Sequence, residues 1–123
     1  MLDSFFAPVA YVQIFRDRLR VSLPDKGVTV EDRGQFSHQR SILGNFAIGE
    51  QTLARALKRA YAGRWFAPRP FLVIHPQELI DGGLTQIEER ALTEMGLGAG
   101  ASKVKIWMGA PPTAQQLTEL VRR

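Results

Sequence analysis

The sequence predicts an α/β fold: a mixed five-stranded sheet with three helices, in the order βββαβαβα. Three observations carry that expectation. Apolar residues alternate with polar ones before residue 31, and two turn signals divide them into three strands. Residues 70–109 pattern as strand, capped helix, glycine-rich turn and strand, a βαβ unit that implies parallel pairing and a right-handed crossover. Two Thr-x-x-Glu/Gln spacings mark helix starts, because each side chain can satisfy the other residue's free backbone N–H.

Residues 10–15 read as the first strand, closed by Arg16-Asp17 as a tight turn. Leu19 and Val21 then alternate with Arg18, Arg20 and Ser22, giving the hairpin partner. Pro24-Asp25-Lys26-Gly27 is the next turn, and Val28-Thr29-Val30 opens a third strand. Residues 32–45 are weakly patterned and read as that strand running into a loop. From about Gly49 to Ala62, Leu53, Leu57, Ala60 and Tyr61 keep helical spacing, with Arg55, Lys58 and Arg59 outward and Gly63 placed to cap. Phe71-Leu72-Val73-Ile74 is a buried strand, ended by His75-Pro76. After Asp81-Gly82-Gly83, Thr85 and Glu88 form the first capping box. Ile87, Ala91, Leu92 and Met95 share one face of that helix, and Gly96 and Gly98 supply its left-handed stop. Val104, Ile106 and Met108 alternate with Lys103, Lys105 and Trp107 as the last strand. Thr113 and Gln116 open a final helix with Leu117, Leu120 and Val121 inward.

Composition narrows the function classes. A chain of 123 residues is read as one domain (1–123), large enough to bury roughly 65–70% of its unfolded surface without staples. It has no cysteine, so disulfides, thiolate nucleophiles and cysteine metal sites are excluded. No long apolar span or signal peptide is visible, and a cytoplasmic location is the default expectation. The net charge of +4 comes from sixteen scattered basic residues among twelve acids, which reads as a solvated surface and not a nucleic-acid stripe.

Three patches carry a resemblance to a known family. Gly44-Asn45-Phe46-Ala47-Ile48 leads into the Leu53 helix. Pro68-Arg69-Pro70 precedes the Phe71 strand, with Gln86-Ile87-Glu88-Glu89-Arg90-Ala91 after it. Gly98-Ala99-Gly100-Ala101 precedes Val104. Together with the element order, this resembles the first half-domain of actin-like ATPases on the ribonuclease-H-like fold, nearest the rod-shape-determining MreB branch. The likeness covers residues 44–109 and is weak before them.

The resemblance also implies what the site lacks. Actin-like ATPases hold phosphate and magnesium with a D-x-G-T turn between their first two strands, where glycine lets backbone N–H groups approach the phosphates. The matching stretch here is Gln13-Ile14-Phe15-Arg16, followed by Asp17. The family's water-positioning glutamate has no counterpart in Trp107-Met108-Gly109-Ala110-Pro111. ATP hydrolysis is therefore not expected, and no cofactor or metal is expected. Losing the second lobe would uncover the phosphate-facing side. The expected role is a non-catalytic protein-interaction module, binding a protein partner or itself, with Phe15, Arg16, Trp65 and Trp107 as its surface.

Other chemistry is weighed on single residues. His75, at a strand's C-terminal end, could act with Glu78 as a general base, or with Arg16 or Arg18 on a phospho-ligand. The favoured reading leaves its ring partly solvated beside Pro76. His38, Ser37 and Ser41 read as loop polarity. Asp17, Asp32 and Glu50 could be proposed as nuclease carboxylates, but Asp17 is most simply a turn residue. A basic surface of Arg16, Arg18, Arg20, Arg55, Lys58 and Arg59 is the nucleic-acid alternative. Phe5 and Phe6 fall short of a membrane anchor, and core packing explains them better.

Overall fold

The computed structural model describes residues 9–62 and 69–122. The order is β1 (Val9–Phe15), β2 (Arg18–Leu23), β3 (Val28–Arg33), α1 (Phe46–Ala60), β4 (Phe71–Pro76), α2 (Gln86–Gly98), β5 (Lys103–Ile106) and α3 (Ala114–Arg122). The strands form one mixed five-stranded sheet, as the sequence predicts, and their spatial order is β3-β2-β1-β4-β5. The β1–β2 and β2–β3 pairs are antiparallel, and β1–β4 and β4–β5 are parallel. Among the described residues no helix is long and apolar enough to cross a membrane. Gly63, Trp65 and Phe66, like Phe5 and Phe6, lie outside the described residues.

Pleating divides the sheet residues cleanly. Ala10, Val12, Ile14, Leu19, Val21, Leu72 and Ile74 point to one face and are fully buried under α1 and α2. The opposite face carries Val9, Phe71 and Val73, which pack against Leu117 of α3, with Tyr11, Trp107 and Leu120 around them. That second cluster is small, and α3 leaves the β2–β3 side of the face uncovered.

The helix starts follow their side chains. Asn45 caps α1 by accepting from the Ile48 N–H at 3.2 Å, so the helix begins before Gly49. Both predicted boxes form: Thr85 with Glu88, and Thr113 with Gln116. The stop of α2 differs from expectation. Neither Gly96 nor Gly98 has a positive φ, and the left-handed turn falls to Gly100, with φ 121°. Gly96 serves packing instead, since a Cβ there would meet Val104 at 2.7 Å and Ile74 at 3.1 Å. Ile87 is 82% exposed, so the inner face of α2 is Leu92, Met95 and Gly96. Residues 34–45 form no strand, yet they bury Phe36 and Ile42 completely. The last strand stops at Ile106, leaving Met108 exposed.

Both outer strands are guarded against pairing with another chain. The Gly34 N–H bonds to the Asp17 carbonyl, so the even-numbered residues of β3 exchange hydrogen bonds with β2 and the carbonyls of Glu31 and Arg33 point outward. Arg59 donates to the Glu31 carbonyl at 2.9 Å and Arg55 to the Arg33 carbonyl at 3.1 Å. Asp32, on the α1 side of the sheet, holds both guanidiniums, at 3.0 Å from Arg55 and 3.5 Å from Arg59. On the other edge, β5 is four residues long and bears the exposed Lys103 and Lys105. Occupied carbonyls, short length and lysines all discourage edge-to-edge pairing.

Candidate functional site

The C-terminal ends of the parallel strands β1, β4 and β5 converge on the Arg16-Asp17 turn, residues 75–78 and residues 107–110, the place where α/β sheets commonly seat ligands. The turn is locked from three sides. The Arg16 N–H donates to Glu78 Oε1 at 2.5 Å, and its guanidinium reaches the carbonyls of His38 and Gln39. Asp17 takes φ 54°, its carboxylate accepts from the Ser37 N–H at 2.8 Å, and its own N–H donates to Ser37 Oγ at 3.1 Å. Ser37 in turn donates to the Ile42 carbonyl at 2.7 Å. The buried Phe36 and Ile42 anchor this loop, so the turn is a rigid joint.

His75 is buried, 3% exposed, not partly solvated. Pro76 does not end the strand before it, because the Pro76 nitrogen would face β5, which has stopped at Ile106. Strand pairing therefore continues, with Gln77 N–H bonded to the Ile14 carbonyl, and His75 is drawn under the second face. Its Nδ1 lies 2.6 Å from the Tyr11 hydroxyl. Burial pushes the His75 pKa below its ordinary value, against a smaller opposing pull from the Gly109 backbone, and burial pushes the Tyr11 pKa up. A protonated phenol donating to a neutral imidazole is the pairing these shifts favour. Glu78 is spent on the Arg16 N–H, so the His75–Glu78 pair considered from sequence is not assembled.

A pH dependence follows from the neutral histidine. The unfolded chain takes up the His75 proton near 6.5, whereas the folded chain resists it until lower pH. Stability is therefore full above about 6.5 and declines as pH falls below it. Urea midpoints measured from pH 7.5 downward should fall in this range for the parent chain, and His75→Gln should flatten that limb. An unchanged limb in the variant would assign it elsewhere.

Towards β3, the same face is polar and open. The Arg18 guanidinium stacks over the Phe15 ring at 4.0 Å, with Arg20 at 5.4 Å. Both arginines share Glu31, at 3.2 Å and 2.7 Å. The hydrogen bond from Arg20 holds the Glu31 carboxyl below its usual range, aided by Arg18 and opposed by desolvation. Arg20 also reaches Gln13 Oε1 at 3.4 Å. The six-residue basic set considered for nucleic acid is divided by the sheet: Arg18 and Arg20 lie here, while Arg55 and Arg59 grip Asp32 on the α1 side. The Asp32 carboxyl is held down chiefly by the Arg55 hydrogen bond. Of the four predicted surface residues, Phe15 is half-buried beneath Arg18, and Arg16 is engaged with the 38–39 carbonyls. Trp107 packs into the α3 cluster with its indole N–H on the Ala110 carbonyl at 2.8 Å, and Trp65 is outside the described residues. Tyr11, Glu31 and Arg33 were not singled out from sequence; cross-strand alternation is the signal that places them on this face.

Among the described residues no three His, Asp or Glu side chains converge as metal ligands, and Asp17, Asp32 and Glu50 do not form such a group. No protein-family model matches the chain. Two sequence relatives were found. One is the uncharacterized protein YjaA of Escherichia coli K12, 31% identical over 102 residues, covering 79% of this chain and 80% of that protein. Another is the cell shape-determining protein MreB of Haemophilus influenzae, 30% identical over 63 residues, covering 51% of this chain but 17% of MreB.

Proposed function

The chain belongs to the family of YjaA of Escherichia coli, and on that premise we propose that it is a non-catalytic protein-interaction module on an actin-like half-fold. The observation that carries this reading is the Arg16 N–H bonded to Glu78. In the phosphate turn of actin-like ATPases that backbone donor faces a nucleotide; here a carboxylate of the chain itself occupies it. Phe15, with Arg18 stacked on its ring, fills the space where a glycine would admit a phosphate. Similarity to MreB supports the scaffold's origin. The contact surface is the open sheet face around Phe15, because both sheet edges are blocked.

Two measurements test this. Magnesium-ATP at a hundredfold excess over a working Kd would add about 2.7 kcal/mol of stability and raise Tm by several degrees. No rise is expected, and a rise would overturn the reading. Sedimentation velocity should show concentration-dependent mass, or a stoichiometric complex with a defined protein partner, weakened by Phe15→Ala. A complex indifferent to that substitution would remove this face from the role.

A further inference from the structure

We propose that the uncovered half of the second sheet face docks an acidic segment of a partner protein, whose carboxylates insert between Arg18, Arg20 and Arg33. The proposal rests on the interaction-module reading and gives the partner its chemistry. Among the described residues this face sets three guanidiniums against one carboxylate, Glu31, which pairs with Arg18 and Arg20. Arg18 and Arg33 sit directly opposite each other across the β2–β3 pair, and alternation puts both on the side that Glu31 occupies. Like charges in that position repel, unless an anion lies between them. Arg33 is exposed, and among the described residues its side chain has no ion pair or hydrogen bond. The nearby acids are committed: Asp32 faces α1 with Arg55 and Arg59, and Glu78 holds the Arg16 N–H. The anion must therefore come from outside the described chain.

Glu31 shows what the face recognises. Its Oε2 accepts from guanidiniums on two registers of β2 at once, 3.2 Å from Arg18 and 2.9 Å from Arg20 Nε. A second carboxylate between Arg18 and Arg33 repeats that arrangement one step along the strands, and charge-assisted pairs of this kind are the stronger hydrogen bonds. Nucleic acid fits less well. The Phe15 ring has Arg18 at 4.0 Å and Arg20 at 5.4 Å above it, so it offers no clear platform for a base. Three arginines are also fewer than the six to ten phosphate contacts that typify duplex binding.

The test is fluorescence anisotropy of the full chain with a labelled oligoglutamate peptide at low and moderate salt. Exposed ion pairs are worth up to about a fivefold change each. Arg33→Gln should weaken binding about two- to fivefold, and Arg18→Gln with Arg33→Gln about tenfold. Lys58→Gln, on the outer side of α1, should leave it unchanged. Amide shifts on titration should centre on Phe15, Arg18 and Arg33, with thermal stability of Arg33→Gln matching the parent. Equal weakening by Lys58→Gln, shifts spread over the whole surface, no binding at low salt, or tighter binding of oligothymidylate would each overturn the proposal. A self-association that ignores Arg33 in an ATP-silent chain would sink this inference and leave the module reading standing; ATP-dependent stabilisation would sink the module reading itself.

Discussion

Replacing both guards of the outer strand, Arg55→Ala with Arg59→Ala, should make the chain associate edge to edge. The two guanidiniums now cover the outward carbonyls of Glu31 and Arg33, and Asp32 keeps them there. Removing them presents the N–H and C=O groups of β3 as a template for another strand. Stability should fall only modestly, by about 1–2 kcal/mol, since pairs as exposed as these contribute little each. Association should strengthen about tenfold or more, equivalent to ~1.4 kcal/mol. Sedimentation velocity across a concentration series reads this directly. Arg55→Lys with Arg59→Lys is the informative companion, because a lysine retains charge but cannot bridge a carbonyl and Asp32 with one planar fork. A double alanine variant that stays as monodisperse as the parent would show that the guard is ornamental.

The largest loss of stability is expected at the centre of α1. Leu53 is fully buried beneath the β2–β3 side of the sheet, in the cluster that also holds Leu57, Met95 and Phe36. Leu53→Ala removes apolar area and leaves a cavity, costing about 2–5 kcal/mol. A domain of this size has a total of roughly 6–18 kcal/mol, so the variant should unfold at markedly lower urea. Ile87→Ala is the matched control. Ile87 is 82% exposed, and its truncation should change stability by no more than about 0.5 kcal/mol. Equal losses at the two positions would mean that α2 is rotated from the orientation described.

The Ile87 comparison also shows where sequence patterning ran out. All eight elements and both capping boxes were legible, because their signals are local: alternation, proline, glycine, and Thr three residues before Glu or Gln. The face of α2 was not, because its closest approach to the sheet is made by Gly96, which has no side chain to register in an apolar count. A reading built on apolar residues alone therefore recruits Ile87. Phe36 and Ile42 were missed for a related reason: they are isolated apolar residues in a segment without periodicity, buried by tertiary closure of the loop. The candidate site was half legible. Phe15 and Arg16 could be located from the turn, but the Tyr11–His75 contact joins residues 64 positions apart and depends on strand order. Pro76 misled in the same way, since its missing N–H matters only if a neighbour stands on that side.

The Tyr11–His75 bond has a further consequence for how β1 finds β4. Tyr11 lies opposite Val73 and Gln13 opposite His75, so the bond runs diagonally across the pair. Sliding one strand past the other by two positions would still send every apolar side chain to its proper face, and greasy contacts alone distinguish the two alignments poorly. The slide that sets Tyr11 opposite Phe71 carries the phenol away from the imidazole and strands a ring nitrogen in a dry place, which costs about 1–3 kcal/mol. The pair therefore acts as a ratchet tooth, barring a slip in that direction which oil and pleat would otherwise permit.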